Sequence, residues 1–149
     1  MELALLVLRV VVGALFFGHG TQKLFGWFGG HGPAGTGQFF ESIGMKPGRA
    51  MAYAAGAAEA IGGLLIAFGL FMPAAAAMII SVMAVAIWTV HRTNGLWVTD
   101  NGYEYPLVLI AVAFAFAGIG AGEWSLDSAF DMAWSGEQWA LAADRKSVV

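Results

Sequence analysis

The chain has 149 residues, of which 59% are hydrophobic and 11% charged, with a net charge of −3 and no cysteine. Soluble domains carry about 25% charged residues, so this is the composition of a chain that lives in lipid, and its length suits one compact membrane domain. Without a basic stripe to neutralise phosphates, nucleic acid is excluded as a partner. Without cysteine, disulfides, thiolate redox chemistry, iron–sulfur ligation and thiolate zinc sites are excluded too. Electron transfer would need a bound cofactor, a quinone or a partner protein.

The N-terminus, Met1-Glu2-Leu3, has no basic region before its apolar run. That run therefore reads as a retained span and not a removable signal. Span one is expected over about residues 2–25. From Ala50 to Val90 the only charged residue is Glu59, and the stretch is too long for one crossing of about 20 residues. Pro73 lies near its midpoint, and proline is tolerated at a helix start but not in a helix interior. The stretch is thus expected to fold as a hairpin of spans over 50–71 and 73–91. A fourth span is expected over 103–120, which places both termini on one side, called side A. The two long loops then lie on side B.

The expected fold is an all-α integral membrane four-helix bundle, with a membrane domain at 1–122 and a tail at 123–149. The loop after span one combines glycines with Phe25, Trp27, Phe28, Phe39 and Phe40, a composition suited to an interfacial or re-entrant segment. The tail carries Trp124, Leu126, Phe130, Trp134 and Trp139 among polar residues, which suits an interfacial amphipathic helix. Lys23, Lys46, Arg49 and Arg92 near the span ends make side B the cytoplasmic side by positive-inside counting.

Two charges fall inside the spans. With a rise of 1.5 Å per residue, Arg9 lies about 10 Å from side A and Glu59 about 15 Å from side B. Unpaired, each would cost at least about 2.5–3.5 kcal/mol at the bilayer centre, so an Arg9–Glu59 ion pair is expected. Such a pair suits a structural role in helix register or a proton or ligand site. Ala52, Ala55, Gly56, Glu59, Gly62 and Gly63 share one helical face, whose small residues suit close helix packing. Arg9, Gly13, Phe16, Gly20 and Lys23 share a face in span one. By the same reasoning Glu104, Val108, Ala111, Ala115 and Gly118 form the inward face of span four. At side B the span ends collect His19, Gln22 and Lys23, then His91, Arg92 and Asn94, then Glu104 and Tyr105. These groups suit either a binding site or the capping of helix ends and loop carbonyls. No spacing supports a metal site at His19 and His91, and no metal is expected.

Arg9 together with the run His19-Gly-Thr-Gln-Lys-Leu-Phe-Gly-Trp-Phe-Gly-Gly resembles the DoxX family of small bacterial four-helix membrane proteins. The likeness continues through Glu59-x-x-Gly-Gly, Asn94-Gly, Gly102-Tyr-Glu-Tyr-Pro, Gly118-x-Gly and Trp124-Ser-Leu-Asp127, covering about residues 5–128. The resemblance implies a multi-pass protein of the bacterial plasma membrane. It also implies a membrane subunit of a redox system, as in archaeal thiosulfate:quinone oxidoreductase, or in a mycobacterial complex with a sulfurtransferase and superoxide dismutase.

Two functions follow as expectations. The first is a quinone-interacting subunit of an oxidoreductase, with Glu59, His19 and Glu104 in the chemistry and Arg9, Gln22, Lys23, His91, Asn94 and Tyr105 in ligand binding. Quinone is the cofactor this implies; Trp27, Phe28 and Trp97 would flank its ring. The second is a non-enzymatic membrane anchor for protein partners or for further copies of the chain. A small-molecule transporter is a third class, less favoured because the chain lacks the repeated, broken-helix organisation of many transporters.

Overall fold

The computed structural model describes residues 1–132 and contains helices but no strand among them. The principal helices are α1 (Glu2–Phe25), α2 (Gly32–Ser42), α3 (Gly48–Phe68), α4 (Met72–Ala86) and α5 (Glu104–Ile119), followed by the short α6 (Leu126–Ala129). A π-helical turn at Ile87–His91 carries α4 onward, so the continuous helical segment runs to Asn94. Three segments, Glu2–Phe25, Gly48–Phe68 and Met72–Asn94, are long and apolar enough to cross a membrane. The apolar α5 is shorter, at 16 residues.

Helix ends follow from local chemistry. Gly26 stops α1 in the left-handed conformation, at φ 72°, with its N–H donating to the Gln22 carbonyl. At the end of α3, Gly69 adopts φ 66°, its N–H donates to Ile66 O and that of Leu70 to Leu65 O. This is a Schellman stop. Pro73 lies in the first turn of α4, where a missing N–H costs nothing. The hairpin between α3 and α4 is therefore tight.

Helices α1 and α3 run antiparallel in backbone contact. A Cβ at Gly13 would lie 2.5 Å from the Gly63 carbonyl, and one at Gly20 would lie 2.6 Å from that of Gly56. Ala52, Gly56, Glu59, Gly62 and Gly63 are buried on α3, whereas Tyr53, Ile61, Leu64 and Phe68 face outward. Phe16, Ile66, Met72, Ile79, Ala113 and Phe116 fill the space between α1, α3, α4 and α5.

Two expectations need correction here. On α5 the small-residue face is outward: Val108, Ala111, Ala115 and Gly118 are exposed, and Pro106, Ala113 and Phe116 are buried. Nearly every residue of α5 is apolar, so polarity marks no face, and it is Ala113 and Phe116 that join the buried cluster with Ile79 and Met83 of α4. The aromatic, glycine-rich segment after α1 is not simply a loop, because α2 occupies most of it. Pro33 starts α2, and α2 packs on α3 where Gly37 and Gly48 touch and Glu41 Oε1 accepts the Gly48 N–H at 3.1 Å.

The first part of the tail is docked and not free. Asp127 caps α4, accepting the N–H groups of Phe71 (2.9 Å) and Met72 (3.4 Å), while its own N–H donates to Gly69 O. Glu2 accepts the Glu123 N–H at 2.7 Å. The expected tail residues Trp134 and Trp139 lie outside the described residues. Phe25, Trp27, Phe28, Trp88, Trp97, Phe114, Trp124 and Phe130 are exposed aromatics.

Candidate functional site

A cavity of about 480 Å³ opens between the helices at the end of α1 opposite the N-terminus. Its walls are apolar, formed by Phe16, Phe40, Met83 and Leu109 among others, and its polar lining includes His19, Lys23, Glu59, His91 and Tyr105. Four helices and the α2 segment contribute, so only the assembled fold makes the site.

At its base Lys23 Nζ donates to Glu59 Oε2 at 2.5 Å, with the Glu59 side chain buried and that of Lys23 23% exposed. The pair overturns the expected Arg9–Glu59 contact. Side chains on a helix lean toward its N-terminus. On α1 that direction carries Arg9 away from Glu59 and carries Lys23 inward; on the antiparallel α3 it tilts Glu59 toward Lys23. The backbone contact at Gly20 and Gly56 brings the two helices close enough for the pair to close.

Arg9, which is 1% exposed, instead serves the opposite end. Its Nη2 donates to the Trp124 carbonyl, and its charge is balanced by Glu2 and Asp127 nearby. Its Nε and Nη1 have no hydrogen-bond partner among the described residues. Arg9 is therefore separate from the cavity and holds the Trp124–Asp127 segment against the α3–α4 turn.

The remaining candidates form a layer around the cavity. Gln22 Nε2 donates to Phe28 O at 3.2 Å, which turns its Oε1 toward His19 Nδ1, also at 3.2 Å. His91 Nδ1 lies 2.8 Å from the backbone oxygen of Asn101, which also accepts from Asn94 Nδ2 at 3.1 Å. Glu104 lies outside the cavity lining, and its Oε2 accepts the Val98 N–H at 2.8 Å, closing the loop before α5. Thus five of the nine residues meet in one cavity, while Gln22 and Asn94 support its histidines. Arg9 and Glu104 do other work.

Some lining residues escaped sequence reasoning. Phe39, Phe40 and Met45 come to the cavity with α2, and Thr89 and Val90 with the π-helical turn. Such turns often mark functional sites. The Ser81 and Thr89 hydroxyls also line it, each donating to a carbonyl four residues earlier at 2.7 Å and leaving its oxygen lone pairs available.

The DoxX family model matches residues 4–92, a stretch that holds α1 through the π-helical turn and the Lys23–Glu59 pair. The chain belongs to the DoxX family. It is similar to a Bacillus subtilis (strain 168) protein named "Putative oxidoreductase CatD", with 36% identity over 108 residues, 72% of this chain and 74% of that protein. It is also similar to an "Uncharacterized protein" of Haemophilus influenzae, with 28% identity over 138 residues, 91% of this chain and 89% of that one. No solved structure matches it. As a DoxX membrane protein, the chain keeps its charged pair and both cavity histidines within the matched stretch.

Proposed function

We propose that the protein is a multi-pass subunit of a redox system in the bacterial plasma membrane, and that its cavity binds a quinone. The observation that carries this reading is the cavity itself: about 480 Å³ of apolar-walled space with a few convergent polar groups. That is the usual form of a site for a lipophilic ring compound. Lys23 keeps donors beyond the one given to Glu59, and the Tyr105 hydroxyl is a second donor for a carbonyl oxygen. The ammonium and carboxylate neutralise each other, so the pair is tolerable in apolar surroundings. Glu59, within one hydrogen bond of Lys23, is placed to take up or return the proton that an oxygen of the ligand exchanges. Electrons would come from a partner, because this chain has no cysteine to hold a cluster. The oxidoreductase name of the Bacillus relative supports the same class of activity.

The test is gentle purification from native membranes into nanodiscs, followed by mass spectrometry of bound lipids and proteins. Quinone retained by the wild type and lost from Lys23→Met and Glu59→Gln is the expected result. A preparation that carries no quinone at any stage rejects the reading.

One observation favours a second reading, a scaffold for a partner subunit. The outward small-residue face of α5, with Ala111, Ala115 and Gly118, is the kind of surface on which another membrane helix packs closely. In that case Ala115→Leu removes a co-purifying subunit, whereas the cavity variants retain it.

A further inference from the structure

The two histidines of the cavity carry information about the ligand that the charged pair does not. Gln22 Nε2 donates to a carbonyl, Phe28 O, so the group it turns toward His19 is its acceptor oxygen. The His19 nitrogen facing it, Nδ1, must then carry the proton. His91 Nδ1 faces the Asn101 carbonyl oxygen at 2.8 Å, which only accepts, so this Nδ1 also carries its proton. A neutral imidazole with hydrogen on Nδ1 has a bare lone pair on Nε2. Neither Nε2 has a hydrogen-bond partner among the described residues, and both rings line the same cavity.

Resting on the quinone-site reading, we infer that this cavity selects the dihydroxy (quinol) form of its ligand over the quinone. A quinol presents two O–H donors, which Nε2 of His19 and Nε2 of His91 accept. A quinone presents only carbonyl oxygens, which meet those lone pairs with lone pairs once water has left the cavity. An acceptor left unpaired after desolvation is penalised. Among the other polar groups, Lys23 donates to either kind of oxygen and the Tyr105 hydroxyl turns to suit either, while the lone pairs of Ser81, Thr89 and Glu59 Oε1 are further acceptors that add to the same preference. Gln22 and Asn101 are therefore positioning groups: they set which nitrogen of each ring is the acceptor. Asn94 supports this arrangement by donating to the same Asn101 oxygen.

The experiment compares three probes of one ring skeleton on the full-length protein in nanodiscs, under anaerobic conditions. They are duroquinol, duroquinone and the dimethyl ether of duroquinol, which keeps the oxygens but has no donor. Duroquinol is expected to bind about tenfold or more tightly than either of the others, the gain from the hydrogen bonds it alone makes. In the double variant H19F/H91F the duroquinol-to-duroquinone ratio falls several-fold. The wild-type comparison needs no substitution, so the inference is testable even if a variant fails to fold. Equal or tighter binding of duroquinone by the wild type overturns it, as does a quinol preference undiminished in a folded H19F/H91F. Failure of all three probes to bind instead rejects the quinone-site reading itself.

Discussion

Lys23 and Glu59 meet at 2.5 Å across the antiparallel contact of α1 and α3, each side chain leaning toward the N-terminus of its own helix. The contact is an ion pair in the wall of an apolar cavity, and each charge depends on the other. Removing one partner leaves an uncompensated buried charge, a loss of about 3–5 kcal/mol. Lys23→Met and Glu59→Gln are each expected to lower the thermal unfolding temperature in detergent, and the double variant to recover much of that loss. Additive losses in the double variant would show that the two groups are not coupled.

The close approach of α1 and α3 rests on glycine. Gly20→Ala places a Cβ against the backbone of α3 at Gly56 and Ala60, which must shift. Overpacking of this kind costs about 1–3 kcal/mol, and the displacement also lengthens the Lys23–Glu59 contact. Gly18→Ala, two residues away with nothing within 4 Å of its Cβ, is the matched control and is expected to be neutral or slightly stabilising. Thermal melts of the two variants side by side decide the matter.

At the opposite end Asp127 caps α4 beside buried Arg9. Asp127→Ala removes the acceptor for two N–H groups, a cost of about 0.5–2 kcal/mol for the cap alone, and part of the compensation for Arg9. Amide exchange at Met72 is expected to accelerate, while ligand binding in the distant cavity is retained. Loss of ligand in a folded Asp127→Ala would show that the two ends are coupled.

Gln22 acts through His19. Gln22→Leu, close in size but without the amide, frees the His19 ring to present either nitrogen to the cavity. Quinol-over-quinone preference is expected to fall by a few fold, toward that of H19F, with the melting temperature little changed. An unchanged preference would show that something other than Gln22 sets the ring.

Much of the fold was legible in the sequence. Apolar length and Pro73 located helices, and the 3.6-residue period located the packed faces of α1 and α3, where glycines alternate with larger residues. The same reasoning failed on α5. Its surface is apolar all round, so its small residues did not mark the packed face, and Glu104 turned out to serve the loop at Val98. Of the candidate site, the histidines and Lys23 were legible from their common level at the end of the spans. The contributions of α2, and of Thr89 and Val90 on the π-helical turn, were not, since neither element follows from local pattern.

Sequence alone determined that this chain is helical, apolar enough for lipid and poor in charge, because those properties depend on residues near one another along the chain. It also determined that the few buried charges must be satisfied. Tertiary structure alone decided by whom. Partner choice depends on helix direction, on side-chain lean and on the backbone contact at Gly20 and Gly56, and these sent Glu59 to Lys23 and Arg9 to Trp124.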